Sequence, residues 1–268
     1  MKTVRTIAEL RRTLGAAPPA STLGLVPTMG ALHAGHVALF RAARHESVPV
    51  VASLFVNPTQ FGDPHDLATY PRDEDRDARI AAEEGVDVLF APTVDEMFPD
   101  GYGTWITVEG AARGLEADFR PGHFRGVATV CAKLFTIVGP QIAFFGQKDA
   151  QQVAVVKQMT RDLNLPVAIR VVPTVRDEDG LALSSRNVHL SSEDRRRALA
   201  IPRALAAGLA AHRSGGNAVA AARALLIGIE PDYVTVADFD GQPTLAIAAR
   251  VGQVRLIDNV RLTDDNRS

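Results

Sequence analysis

The chain has 268 residues, 46% of them apolar and 22% charged, which is globular composition and enough length for two domains with buried cores; a disordered or fibrous chain is excluded. A formal charge of −2 removes any electrostatic case for nucleic acid or an anionic membrane as partner, and no apolar run reaches transmembrane length. The one cysteine, Cys131, can make no internal disulfide and reads as a small buried hydrophobe between Val130 and Ala132, which suits a reducing, cytoplasmic setting.

From the start of the chain, Lys2, Arg5, Glu9, Arg11 and Arg12 fall in a short amphipathic helix, with no apolar core between them that would make an export signal. Strand-like apolar runs follow at 22–26, 48–56, 86–90, 142–145 and 167–172, with helical patterns between them at 37–44, 72–84, 127–138 and 151–163. That alternation predicts βαβ units around a parallel sheet, hence the α/β class. After Val175 the character changes to a polar stretch at 176–187 and then an Ala-rich helical region from about 192 to 227, broken at Ser214-Gly-Gly216. Ser191 followed by Asp194 marks a helix start. Alternating segments at 233–239, 245–251 and 254–260, with turns at Gly241-Gln-Pro243 and Gly252, predict a small antiparallel sheet. A domain boundary near Val175 divides the chain into 1–175 and 176–268.

In parallel sheets of this kind, ligands bind beyond the carboxyl ends of the strands, and the polar clusters fall there. Pro27-Thr-Met-Gly-Ala-Leu-His-Ala-Gly-His36 joins the first run to the first helical pattern. A strand turning through Gly30 into a helix near Gly35 and His36 offers backbone N–H groups and a helix dipole to a polyphosphate. Two imidazoles there suit negative charge building on an α-phosphate, and Gly35, lacking a Cβ, leaves space for a nucleotide against the backbone. Asn57-Pro-Thr-Gln-Phe-Gly62 supplies the amides of Asn57 and Gln60, and Gln152 reaches the same cavity; such groups suit a small hydroxylated acid.

Phe144-Phe-Gly-Gln-Lys-Asp149 follows the fourth run with a glycine, a cation for phosphate and a carboxylate for ribose hydroxyls. Leu183-Ser-Ser-Arg186 combines two hydroxyls with a guanidinium fork, and the upstream Asp177-Glu-Asp-Gly180 lends it flexibility. Phe119-Arg-Pro-Gly-His-Phe-Arg125 adds cations before a helix, oriented toward phosphate or substrate, whereas Asp73-Glu-Asp75 reads as solvated surface. Taken singly, the clusters also read as a surface loop with incidental histidines, a solvated Lys–Asp pair and a Ser-rich turn. No cysteine or third histidine near His33 and His36 completes a zinc set.

Together these segments, with Tyr70-Pro-Arg72, Gln151-Gln152, Asp179-Gly-Leu-Ala-Leu-Ser-Ser-Arg-Asn187 and Arg255-Leu-Ile-Asp-Asn259, resemble the pantoate–β-alanine ligase family of the HIGH-motif nucleotidyltransferases, nearly end to end. The resemblance implies a Rossmann-like N-terminal domain, a smaller α+β C-terminal lid domain, a homodimer, and Mg2+ with ATP as substrate. It implies activation of pantoate as pantoyl adenylate with loss of pyrophosphate, then displacement of AMP by β-alanine. Carried over to this chain, His33 and His36 would meet the triphosphate, with His36 the acid/base. Lys148, Ser184, Ser185 and Arg186 would hold phosphates, and Gly146 and Asp149 the ribose. Met29, Gly30, Gly35, Gln147, Val175 and Leu183 would border the nucleotide. Gln60 and Gln152 would bind pantoate with support from Asn57; the resemblance assigns no metal ligands. The chain departs from the family pattern at Gln147, usually glutamate, and at Ala150, usually aromatic. Two other readings stay open: a HIGH-type enzyme that transfers adenylyl to a phosphate or nucleotide, and a nucleotide-binding homologue without turnover.

Overall fold

The computed structural model describes residues 1–16 and 21–263. It forms two units, one of Met1–Gly146 with Gln151–Val172 and one of Gln147–Ala150 with Pro173–Ser268. The chain order is β1 (Lys2–Val4), α1 (Ile7–Leu14), β2 (Gly24–Thr28), α2 (Ala34–Glu46), β3 (Val50–Leu54), α3 (Pro64–Thr69), α4 (Glu74–Glu83), β4 (Val88–Phe90), α5 (Val94–Met97), α6 (Glu116–Phe119), α7 (His123–Val138), β5 (Ile142–Gly146), α8 (Ala150–Asp162) and β6 (Ala168–Val172). Beyond these come α9 (Ser192–Ala198), α10 (Ala200–Arg213), α11 (Ala218–Arg223), β7 (Pro231–Asp238), β8 (Pro243–Val251) and β9 (Val254–Arg261).

The first unit is an all-parallel sheet in the order β1-β4-β3-β2-β5-β6. Successive strand residues serve opposite faces, which explains why the strands read as continuous apolar runs. Leu25, Val51, Val88, Phe90 and Phe145 join α7 and α8 in one core, while Val26, Ala52, Leu89 and Phe144 join α2 and α4 in another. From β2 the chain winds outward through β3 and β4, then returns to lay β5 on the other flank of β2. This reversal is the switch point at which open α/β sheets bind ligands, beyond the carboxyl ends of β2 and β5.

The α/β class and the smaller antiparallel sheet agree with the sequence patterning. The N-terminus differs: Lys2–Val4 is an edge strand paired with Val88–Phe90, and the helix starts only at Ile7. The reason is a capping box, Thr6 with Glu9, that fixes the helix start and leaves the residues before it to pair with the sheet. Helix α2 opens three residues before position 37, at Ala34, and α7 opens at His123, not at 127. In the second unit β7, β8 and β9 form an antiparallel meander, and Leu245, Ile247, Ala249 and Val251 of β8 pack in a core with α9, α10 and α11. Ser191 caps α9 by accepting from Asp194 N.

Among the described residues no helix is long and apolar enough to cross a membrane. Cys131 lies inside α7 in the first core, and burial pushes its thiol up to about 12. Because the thiolate is the nucleophile, we expect iodoacetamide at pH 8 to leave native Cys131 unmodified and to alkylate it on unfolding in urea. Rapid labelling of the native protein would show the helix to be open.

Candidate active site

The turn from β2 to α2 carries both histidines. His33 is the N-cap of α2, and its Nδ1 accepts a hydrogen bond from Gly35 N at 3.1 Å. His36, at the third helical position, reciprocates: its Nδ1 accepts from His33 N at 3.2 Å. Two imidazoles thus satisfy N–H groups in the pattern usually made by Ser/Thr and Glu. Since a backbone N–H only donates, both Nδ1 atoms are unprotonated, and in each ring Nε2 carries the proton. The ring centroids are 4.2 Å apart. Gly35 makes this possible: a Cβ there would stand 2.8 Å from Cε1 of His33, so the His33 ring packs where any larger residue would place its side chain.

The amides after β3 are buried. Asn57 caps the 3-10 turn Pro58–Gln60 by accepting from Thr59 N at 3.2 Å and Thr59 Oγ1 at 2.9 Å. Its Nδ2 donates to Gln60 Oε1 at 3.1 Å and to Gly126 O at 3.2 Å. Asn57 therefore acts by orienting Gln60, whose Nε2 lies 2.8 Å from Met29 Sδ, a weak acceptor. The carbonyl of Gln60 is gripped from the start of α7 and the end of α6: His123 Nδ1 donates to it at 2.8 Å, and Arg120, the C-cap of α6, approaches it at 3.4 Å and His123 Nε2 at 3.2 Å. A carbonyl accepts and a guanidinium donates, which assigns His123 its proton on Nδ1. Arg125 lies over Trp105, 4.3 Å from the ring centroid. Of the groups expected to face phosphate or substrate, Arg120 and His123 thus support the Gln60 turn, and Arg125 covers an aromatic face.

Gln152, on the first turn of α8, is half-buried, and its neighbour Gln151 has a distinct task. Gln151 accepts from Glu116 N at 3.0 Å and donates toward the carbonyls of Ala111, Arg113 and Gly114, pinning that loop.

The second unit holds the remaining candidates. Gln147–Asp149 form a 3-10 turn whose carbonyls are stapled by Asn259 on β9: Nδ2 donates to Gln147 O at 3.0 Å and Lys148 O at 2.9 Å. The Gln147 side chain is matched to the same neighbour, donating to Asn259 Oδ1 at 3.1 Å and accepting from Arg261 at 2.7 Å. A glutamate at 147 would set acceptor against acceptor at Asn259, so the amide is what this pairing requires. Lys148 Nζ is 3.5 Å from Asp149 Oδ1, and Ala150 is buried.

Leu183 N donates to Val175 O at 3.0 Å, placing these two residues side by side across a hairpin. The Asp177–Gly180 tip is not the flexible approach expected from its polarity. Gly180 N bonds Asp177 O at 2.8 Å, Arg176 donates to Gly180 O at 3.2 Å, and Arg195 bridges Asp177 and Asp179. The Arg195 guanidinium holds the Asp177 carboxyl below the usual carboxylate range. Ser184 caps the 3-10 turn Ser185–His189, which carries Arg186, by accepting from Arg186 N at 3.2 Å.

Within the first unit the fold brings the β2 turn, the β3 turn and Gly146 to the carboxyl edge of adjacent strands. Sequence reasoning missed Asp77, His123, Gln151 and Asn259 as organisers. Asp77 has a signal: it stands one turn before the buried Ala81 on α4, a core-facing position for a carboxylate. Residues 73–75 are exposed as expected, with Asp73 capping α4 and Glu74 paired with Arg5. Among the described residues no group of three or more His, Cys, Asp or Glu is placed to hold a metal ion.

Residues 2–261 match the family model described as pantoate-beta-alanine ligase. The pantothenate synthetase of Roseiflexus sp. (strain RS-1) is 52% identical over 275 residues, covering 97% of this chain and 98% of that protein. The solved pantothenate synthetase from Thermus thermophilus superposes with a TM-score of 0.92 at 47% identity, over 98% of this chain and 99% of that one. The pantoate-beta-alanine ligase from Francisella tularensis, complexed with beta-gamma ATP and beta-alanine, superposes at 0.86 with 36% identity over 98% of each chain.

The Asn259 staple generates a prediction. Asn259→Ala strips the donors from two carbonyls and the acceptor from Gln147, and we expect a loss of about 1–3 kcal/mol in urea unfolding. Asn259→Asp, which keeps only the acceptor, should lose a similar amount; an unchanged midpoint in both would show that the staple contributes nothing.

Proposed function

This chain belongs to the pantoate–β-alanine ligase family, and from that premise we propose that it joins pantoate to β-alanine through a pantoyl adenylate, consuming Mg-ATP and releasing pyrophosphate and AMP. The observation that carries the reading is the reciprocal cap of His33 and His36, which commits both Nδ1 atoms to the backbone and turns both Nε2–H groups into donors. Donors fixed before the reaction begins stabilise charge that develops on a phosphate without reorganising during the step.

In the first step a carboxylate oxygen of pantoate forms a bond to the α-phosphorus as the bond to the β-phosphate oxygen breaks. An ionised carboxylate is already a nucleophile, so the histidines act as electrostatic donors to phosphate oxygens and no base is needed. In the second step the amine of β-alanine attacks the acyl carbon, AMP leaves with the bridging oxygen, and the amine gives up a proton. We assign His33, His36, Lys148, Ser184, Ser185 and Arg186 to the phosphates, and Gly146 and Asp149 to the ribose. Met29, Gly30, Gly35, Gln147, Val175 and Leu183 border the nucleotide. Gln60 and Gln152 take pantoate: the Gln60 Nε2–H now faces only a thioether, a poor acceptor that a pantoate oxygen outcompetes. Mg2+ enters as part of the substrate, on the triphosphate oxygens. A cytoplasmic homodimer completes the proposal.

The two ring nitrogens of His36 can be separated experimentally. His36→Asn keeps an acceptor near Nδ1 but has nothing at Nε2; we expect a normal melting temperature with turnover lowered about 100–1000-fold, the usual loss of one oxyanion donor. Full activity of His36→Asn would remove Nε2 from the reaction. For the adenylate itself, pantoate labelled with 18O in its carboxylate should place one label in each AMP formed, and unlabelled AMP would contradict the intermediate.

A further inference from the structure

We propose that Asp77 is a positioning residue: its carboxylate clamps the β2–α2 turn in a conformation the turn would not hold alone, and so fixes where His33 and His36 present Nε2. The inference rests on the reading of these histidines as the groups that meet the reacting phosphate.

The turn is held against its own preference. Gly30 and Ala31 have φ of 84° and 52° in succession. Glycine takes the left-handed region freely, whereas the Cβ of Ala31 is crowded there. The chain accepts this because consecutive N–H groups are thereby aimed at one carboxylate. Ala31 N donates to Asp77 Oδ2 at 2.8 Å and Leu32 N to Asp77 Oδ1 at 2.8 Å. Asp77 is 1% exposed, and a buried carboxylate is retained only where hydrogen bonds replace its water. The fit leaves no slack: a Cβ on Gly30 would lie 2.8 Å from Asp77 Oδ2 and 2.8 Å from Leu54 Cδ1. Arg76 closes the rim, donating to Leu32 O at 3.1 Å with the same Nη1 that stands 3.7 Å from Asp77 Oδ1. On the strand side, Gly30 N donates to Thr28 Oγ1 at 3.3 Å. Leu32 is thus gripped at both its N–H and its carbonyl by α4, and the next residue is the cap His33.

The test compares wild type, Asp77→Asn, Ala31→Gly and the double variant. In Asp77→Asn an amide NH2 confronts one of the two N–H groups, donor against donor. We expect kcat for pantothenate formation to fall about 10–100-fold, as for a misplacement near 1 Å, with KM for β-alanine unchanged. Amide exchange at Ala31 and Leu32, followed by NMR, should accelerate about 10-fold or more while β2 and β3 stay protected. Ala31→Gly, which removes the crowded Cβ, should recover much of the lost kcat when combined with Asp77→Asn. The proposal is overturned if Asp77→Asn matches wild type in kcat and exchange, or if its loss accompanies global destabilisation without site-specific exchange and without rescue by Ala31→Gly. Should Asp77→Asn fail to fold, the wild type still decides, because unprotected Ala31 and Leu32 amides contradict the clamp. Absence of pantothenate with wild-type protein would defeat the functional reading, and the exchange comparison would then judge the clamp alone.

Discussion

The candidate site depends on how nine residues, Thr28 to His36, leave a parallel strand and enter a helix. A helix start exposes N–H groups that need partners, and here two histidine side chains supply them reciprocally. The arrangement links local stability to chemistry. A serine or aspartate would cap as well but present nothing beyond the cap, whereas an imidazole accepts at one nitrogen and donates at the other. The sheet places this turn at the switch point, where the first turn of α2 faces the region beyond the strand ends.

The protein repeatedly uses neutral amides to fix loops. Asn57 orients the Gln60 turn, Gln151 pins the 111–116 loop, and Asn259 staples the turn that carries Lys148. Each gathers two or more polar groups without the desolvation cost of a full charge, and each would leave those groups orphaned if truncated. His123 belongs to the same design, as a neutral ring donating to one carbonyl. At the β2–α2 turn the same task falls to a buried charge, Asp77, which answers two N–H groups of a turn bent into the left-handed region.

Much of this was legible in the sequence, for physical reasons that differ by residue. Continuous apolar runs signalled a sheet covered on both faces, and Leu25/Val26, Val51/Ala52 and Phe144/Phe145 do divide between two cores. The histidine pair, the amides after β3 and the Gly146-to-Asp149 segment stood out because each follows a strand. What stayed hidden were partnerships across long separations: Asp77 lies 46 residues from Ala31, and Asn259 111 residues from Lys148. Polarity also misled at Asp177–Gly180, where charges that suggested mobility are the groups that tie the hairpin tip to Arg195. The N-terminal strand was missed since three residues at a sheet edge carry no periodicity.

The most direct test is product analysis by mass spectrometry from purified protein with Mg-ATP, pantoate and β-alanine, and with each omitted in turn. The account predicts pantothenate, AMP and pyrophosphate in equal amounts, with none of the three accumulating when pantoate is left out. ATP bound without any pantoate-dependent product would contradict it, and would show that a well-formed pair of imidazoles at the start of α2 is not by itself sufficient for adenylate chemistry.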